Sequence, residues 1–273
     1  MAKTVITPPG RISMPSVREL WDAREVLYRF GMRDVVLRYR QTAVGIVWVL
    51  LQPLVSAGIF AIVFGKVAQL PSDGVNYFMF SYVGMLAWNL FANIIARSTG
   101  SVVSSQSMIS KVYFPRMLVP MSGILSVLLD FVVAFGLGVV LLFIYGITPG
   151  WPVLLLPVWV ALIVLFATGI GLATSAVMVK YRDIAYIVPW ILQTLLFASP
   201  VAYAVPKDIN ENLLTLYNLN PLTWFLELFR FSLLELPAPE PWKIVGAFAV
   251  SLLVFAAGAF TFQQFEREFA DIV

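Results

Sequence analysis

Six apolar stretches, each about as long as a bilayer is thick or longer, dominate this 273-residue chain. They lie near 46–65, 77–96, 117–145, 152–179, 184–205 and 243–263. About 20 apolar residues in a helix cross the roughly 30 Å of hydrocarbon in a membrane. The third and fourth stretches exceed that length, so they should tilt or protrude. Only 12% of residues are charged, against about 25% in soluble domains, and 60% are hydrophobic. The fold class is therefore an all-α integral membrane protein with six transmembrane helices. Residues 1–45 form a cytoplasmic N-terminal segment and 46–273 a single six-span domain.

The basic residues orient the spans. Eight of them, Lys3, Arg11, Arg18, Arg24, Arg29, Arg33, Arg38 and Arg40, precede the first span. Arg97, Lys111 and Arg116 fall in the second connection, Lys180 and Arg182 in the fourth, and Arg267 in the tail. The opposite side holds Lys66, Lys207, Arg230 and Lys243. The positive-inside bias puts both termini in the cytoplasm. A net charge of +3 and a pI near 9.2 would otherwise point to nucleic acid. The basic residues follow the membrane topology instead, so no nucleic-acid partner is expected. Residues 1–14 lack a continuous apolar core, so no signal peptide is expected there.

Ionisable side chains inside the spans are scarce, and only the third carries one near its middle, Asp130. Ion-driven carriers keep several titratable groups along an intramembrane relay. This chain has no histidine and no cysteine. Those absences exclude Ser-His triads, HExxH zinc sites, imidazole relays and thiolate chemistry. No G-x-x-x-x-G-K-[ST] phosphate loop and no Asp-rich diphosphate motif occurs, so neither a P-loop ATPase nor a lipid-modifying enzyme is expected. Asp130 has two readings: a proton stop in an ion-coupled carrier, or a hydrogen bond to a neighbouring helix. A relay needs more than one titratable stop, which favours the structural bond. Energy for any transport then enters from outside the lipid.

Ahead of the first span, an amphipathic helix over 16–39 begins at Ser16-Val17-Arg18-Glu19, which has capping-box spacing. Val17, Leu20, Trp21, Leu27, Tyr28, Met32, Val35 and Tyr39 share one face, and Arg18, Asp22, Arg29, Arg33 and Arg40 the other. Val26, Phe30 and Leu37 fall on the polar side. Such a helix anchors at headgroup level. Its end, Arg38-Tyr39-Arg40, also offers guanidinium forks to an anionic, lipid-borne substrate.

The second connection contains a short helix near 104–114, ended by Pro115. Met108, Ile109, Tyr113 and Phe114 make an exposed docking knob or dip into the bilayer interface. Lys180-Tyr181-Arg182-Asp183 reads as a tight cytoplasmic corner. On the outer side, residues 207–236 hold Asn220-Pro221, an N-cap and N1 pair. The helix that follows, through Glu235, would be about 22 Å long, too short to cross. It re-enters or lies on the outer leaflet, with Glu227 and Arg230 paired or facing water. It serves as packing or as a lid over an exit.

Small residues in the third span (Gly136, Gly138) and fourth (Ala167, Gly169, Gly171, Ala173) favour close helix packing. Pro53, Pro189 and Pro200 should kink or loosen spans one and five. Those spans also carry Trp48, Phe60, Phe64, Tyr186, Trp190, Phe197 and Tyr203. Each alone reads as lipid-facing or core; as a row they offer apolar faces along which sugar rings could slide.

Several ordered motifs carry a family resemblance. They are Arg38-Tyr39-Arg40-Gln41-Thr42 with Gly45, Trp48 through Gln52-Pro53-Leu54, and Lys111-Val112-Tyr113-Phe114-Pro115-Arg116. Tyr181-Arg182-Asp183-Ile184 and Asn220-Pro221-Leu222 with Arg230 complete the set. Across essentially its whole length the chain resembles the membrane subunit of ABC-2 type polysaccharide exporters, which move O-antigen, teichoic acid and related lipid-linked glycans. The resemblance implies a homodimer in the bacterial cytoplasmic membrane with two copies of a separate ABC ATPase, which would hold ATP and Mg. This chain itself would bind no cofactor or metal and would not be an enzyme.

By the same resemblance 104–114 is the coupling helix, with Met108, Ile109, Lys111, Tyr113, Phe114 and Arg116 meeting the ATPase. The helix at 16–39 is the interface helix. The segment 207–236, with Asn220, Pro221, Glu227 and Arg230, forms the outer gate helices. Spans one and five line the channel, making their aromatics the glycan track. Relatives carry a Leu-Gly pair thought to meet the lipid-diphosphate end; here it is Val44-Gly45, alongside Arg38 and Arg40. Alternatives are an ABC-2 permease for a small lipid or drug, and an ion-coupled carrier using Asp130.

Overall fold

The computed structural model describes residues 23–40, 45–106, 114–205 and 210–266. Among them the fold is entirely helical. Helix α1 (Arg24–Arg40) precedes α2 (Gly45–Phe60), which continues as a π-helical segment, Ala61–Val67. Then come α3 (Tyr77–Ser104), α4 (Leu118–Ile144), a 3-10 turn (Trp151–Leu155) and α5 (Leu156–Lys180). The chain continues through α6 (Ile184–Ala198), α7 (Glu211–Leu219), α8 (Pro221–Leu233) and α9 (Pro241–Glu266).

Among the described residues, five segments are long and apolar enough to cross a membrane: Val47–Val67, Tyr77–Ser104, Leu118–Ile144, Trp151–Lys180 and Pro241–Glu266. The expected fifth span of 184–205 is shorter. Its helix is the 15-residue Ile184–Ala198, about 22 Å at 1.5 Å per residue. It stops at Ser199, whose extended backbone (φ −101°, ψ 149°) is what a following proline imposes. Pro200 thus ends this helix where a kink was expected; Pro189 lies inside it.

The second span corrects the expectation in the other direction. Its helix runs to Ser104, well past Arg97, so Arg97 is part of a span and not of a connection. The Arg97 guanidinium donates to Ser126 Oγ of α4 at 2.9 Å. Thr99 and Ser101 return their hydroxyls to the Ile95 and Ser98 carbonyls at 2.7 Å. The polar groups that end the apolar pattern are therefore satisfied, and the helix continues.

Local chemistry sets the other ends. Asn76 caps α3, its side chain accepting from Phe78 N–H at 3.0 Å. Helix α4 closes in a Schellman motif. Gly146 takes φ 71°, and the Ile147 and Gly146 N–H groups donate to the Leu142 and Phe143 carbonyls.

Helix α3 is the axis of the packing. Residues 79–88 along it are buried without a break, and α2, α4, α5, α6 and α8 all touch it. Helix α9 packs on α5, and α1 lies against α4. Without a hydrophobic drive in lipid, close backbone approach supplies the contact energy. A Cβ on Gly258 of α9 would overlap the Gly169 carbonyl of α5. Gly171, on the opposite side of α5, faces Ser98 of α3. Gly138 takes the Tyr82 ring, whereas Gly136 has open space around it and packs nothing.

Candidate functional site

At the N-terminal end of the described chain, α1 folds back on α4. Gly31 is buried where a Cβ would press on Leu125 and the Ser122 carbonyl. The side turned inward follows Leu27, Phe30, Gly31 and Asp34, all partly or fully buried. This differs from the expected apolar face. Phe30, assigned to the polar side, packs edge-on against Phe114 at 5.3 Å. Tyr28, assigned to the apolar side, is exposed. The helix begins at Arg24, with Ala23 accepting its first N–H bonds; the cap at Ser16 lies outside the described residues. So do Val44 and the side chains of Arg38 and Arg40, while Gly45 is the first residue of α2.

Met108, Ile109, Lys111 and Tyr113 also lie outside the described residues, but the end of that connection is anchored. Phe114 is buried, not an exposed knob, because α1 covers it. Arg116 donates to the Glu266 carbonyl at the end of α9 (3.1 Å), and Gln263 reaches the Met117 sulfur at 4.0 Å. The segment that leads into α4 is therefore clamped between α1 and α9.

Two helices present exposed apolar faces, of which that on α6 is an aromatic row. On α2 and its π-helical continuation, Trp48 is exposed beside Val47, Leu51, Val55, Ile59, Ile62 and Val63. On α6, Tyr186 and Trp190 are 81% and 67% exposed, and Phe197 follows two turns above Trp190. Burial inside this chain does not explain rings left this open. Phe60 and Phe64 instead lead to the end of the bundle opposite α1, where Phe60–Phe64 (5.6 Å), Phe64–Tyr203 (6.5 Å) and Tyr203–Tyr217 (6.2 Å) form a continuous series. Tyr203 Oη donates to or accepts from Tyr217 Oη at 2.9 Å and lies 3.0 Å from the Phe197 carbonyl. Tyr217 was not anticipated, because its partners come from other parts of the chain.

Among the described residues, the segment between α6 and α9 holds two helices, α7 and α8. Asn220 caps α8 as expected: its Oδ1 accepts from Leu222 N–H at 3.0 Å, with Pro221 at N1. Its Nδ2 donates to Ser199 Oγ at 2.9 Å. Glu227 is paired, with Lys243 of α9, which reaches both its oxygens at 3.0 Å. Arg230 neither meets a carboxylate within ion-pair distance among the described residues nor faces water. It is 4% exposed, 3.6 Å above the Phe80 ring, and donates to the Val201 carbonyl at 2.7 Å.

Asp130 is 7% exposed. It lines a cavity of about 40 Å³ with Val49, Gln52, Pro53, Asn89 and Asn93, among others. That is room for a few waters. Pro53 has no N–H, so the Val49 carbonyl one turn back loses its helical donor, and both residues face this cavity. Amides four apart on α3, Asn89 and Asn93, were the overlooked sequence signal.

A family model described as "ABC-2 type transporter" matches residues 26–234. The chain is 28% identical over 258 residues to the O-antigen export system permease protein RfbA of Myxococcus xanthus, covering 94% of this chain and 98% of that one. The protein of the same name from Klebsiella pneumoniae is 29% identical over 196 residues, 70% of this chain and 73% of its own length. The polysialic acid transport protein KpsM of Escherichia coli is 23% identical over 210 residues, 73% of this chain and 77% of its own.

Proposed function

This chain belongs to the ABC-2 type transporter family, and from that premise we propose that it is the permease of an ATP-driven exporter of a polysaccharide linked to a polyprenyl diphosphate. The observation that carries the reading is the nearly end-to-end match to an O-antigen export permease, 94% of one chain against 98% of the other. The exposed aromatic row of α6 and the exposed Trp48 of α2 support it, since ring faces suit sugars without holding them tightly.

In this reading two copies face each other across α2 and α6 in the bacterial cytoplasmic membrane, with both termini cytoplasmic. Helix α6 is the fifth of six spans. Its 15 residues reach across with the help of the outer turn, whose Val201 and Ala202 are buried. Non-helical backbone at membrane depth is tolerated where protein covers it. Two copies of an ABC ATPase, holding ATP and Mg, dock on the segment 104–114. Their closure pushes that segment, and through Phe114 and Arg116 the push reaches α1, α4 and α9. The seam between protomers then opens, and the α7–α8 pair gates the outer mouth. The lipid-diphosphate end meets Arg38, Arg40, Val44 and Gly45.

The test is co-purification with an ABC ATPase and reconstitution of the complex in lipid. A polyprenyl-diphosphate-linked oligosaccharide is expected to raise ATP turnover and to reach the far side only with ATP. A stable monomer that moves solute without nucleotide would overturn the proposal. Stimulation by a small amphiphile and not by the glycan would favour a lipid or drug exporter.

A further inference from the structure

A buried guanidinium stays ionised, and burying it is costly unless fixed partners meet it. Arg230 has two such partners, the Phe80 ring and the Val201 carbonyl, while its Nε–H has no acceptor among the described residues. The carbonyl can be there only because α3 carries glycine at that level. A Cβ on Gly84 would overlap Val201 O and come within 2.9 Å of an Arg230 nitrogen.

Val201 belongs to the short turn that ends α6. The same turn is held to α8 a second time, through the Asn220–Ser199 bond at 2.9 Å, and Ala204 N–H ties it to Pro71 O at 3.2 Å. Its back is thus fixed by α3 and α8. Its front carries Tyr203, which meets Phe64 and Tyr217.

We infer that Arg230 is a latch: it locks the Ser199–Tyr203 turn onto α3 and α8, so that the end of α6 and the α8 helix move as one body. Arg230 is then a positioning residue that aims Tyr203, and it does not touch the exported molecule. The consequence for export rests on the function proposed above; the latch itself is read without it.

The chain has no cysteine, so A202C supplies a single thiol at a position 4% exposed. In the purified complex in detergent, a maleimide should label A202C slowly. Adding R230Q should speed labelling about tenfold or more, the factor for losing a hydrogen bond from a charged donor. R230K, which keeps a donor but not the stacked plane, should restore part of the protection. G84A should speed labelling with Arg230 intact, and R230Q should add little on top of it, because both break one contact. G84A also decides the matter if R230Q fails to assemble. Unchanged labelling in both variants, or full additivity between them, would overturn the latch. Loss of glycan export in R230Q with labelling unchanged would do so as well, since it would place Arg230 on the substrate.

Discussion

The ring of Phe114 stands edge-on to that of Phe30, with centroids 5.3 Å apart and planes at 63°. It joins the last residues before α4 to the helix that precedes the first span. Such aromatic pairs contribute about 0.5–1.5 kcal/mol beyond their buried area. In thermal unfolding of the purified chain, F30L and F114L should show a coupling of that size in a double-mutant cycle. In the assembled transporter each should leave basal ATP turnover in place and lower glycan export. Additive unfolding effects would show that the two rings are neighbours without being a joint.

Glu227 and Lys243 hold α8 to α9 from a largely enclosed position, with side chains 32% and 11% exposed. Removing one partner leaves the other charge poorly solvated. E227Q should therefore destabilise the protein by about 2 kcal/mol, less than a fully buried pair would lose. The K243M/E227M double variant should recover much of the loss, because neither charge then remains. Thermal unfolding of both variants and the parent chain in one detergent checks this.

The spans were legible because crossing lipid needs little more than length and apolarity. The all-helical class and five long spans follow from that, as does the cap at Asn220, whose bond to Leu222 N–H is local. Elements fixed by distant partners were not legible. A polarity pattern stops at Arg97, yet Ser126, 29 residues away, lets the helix run on. Phe114 looks like an exposed knob until α1 folds over it. Arg230 sits three residues from Glu227, but Lys243 takes the carboxylate and a backbone carbonyl takes the arginine. Motif resemblance pointed to the family without indicating any of these contacts.

Asp130 faces a cavity that also takes Gln52, Asn89 and Asn93. If its task is hydrogen bonding between α4, α3 and the proline-interrupted α2, an amide can replace it. D130N should retain ATP-dependent export with no new requirement for a pH gradient. D130L should lower stability by about 1–3 kcal/mol, as expected when buried polar neighbours lose a partner. Export measured with and without a protonophore separates the cases. Loss of activity in D130N together with proton dependence in the parent protein would return Asp130 to the role of a proton stop.

Trp190 and Tyr186 lie one turn apart on α6 and are 67% and 81% exposed. Trp190 gives the Thr194 hydroxyl a carbonyl acceptor at 3.0 Å, a backbone role that any residue there would keep. Surface truncations away from packed contacts shift stability by about 0.5 kcal/mol or less. W190A and Y186A should therefore unfold within that margin of the parent chain. If their faces carry a sliding sugar chain, both should slow export of the lipid-linked glycan while ATP turnover without glycan stays the same. W190F should export better than W190A, since an aromatic face remains. Equal export by W190A, W190F and the parent protein would assign these rings to lipid and leave the glycan track elsewhere.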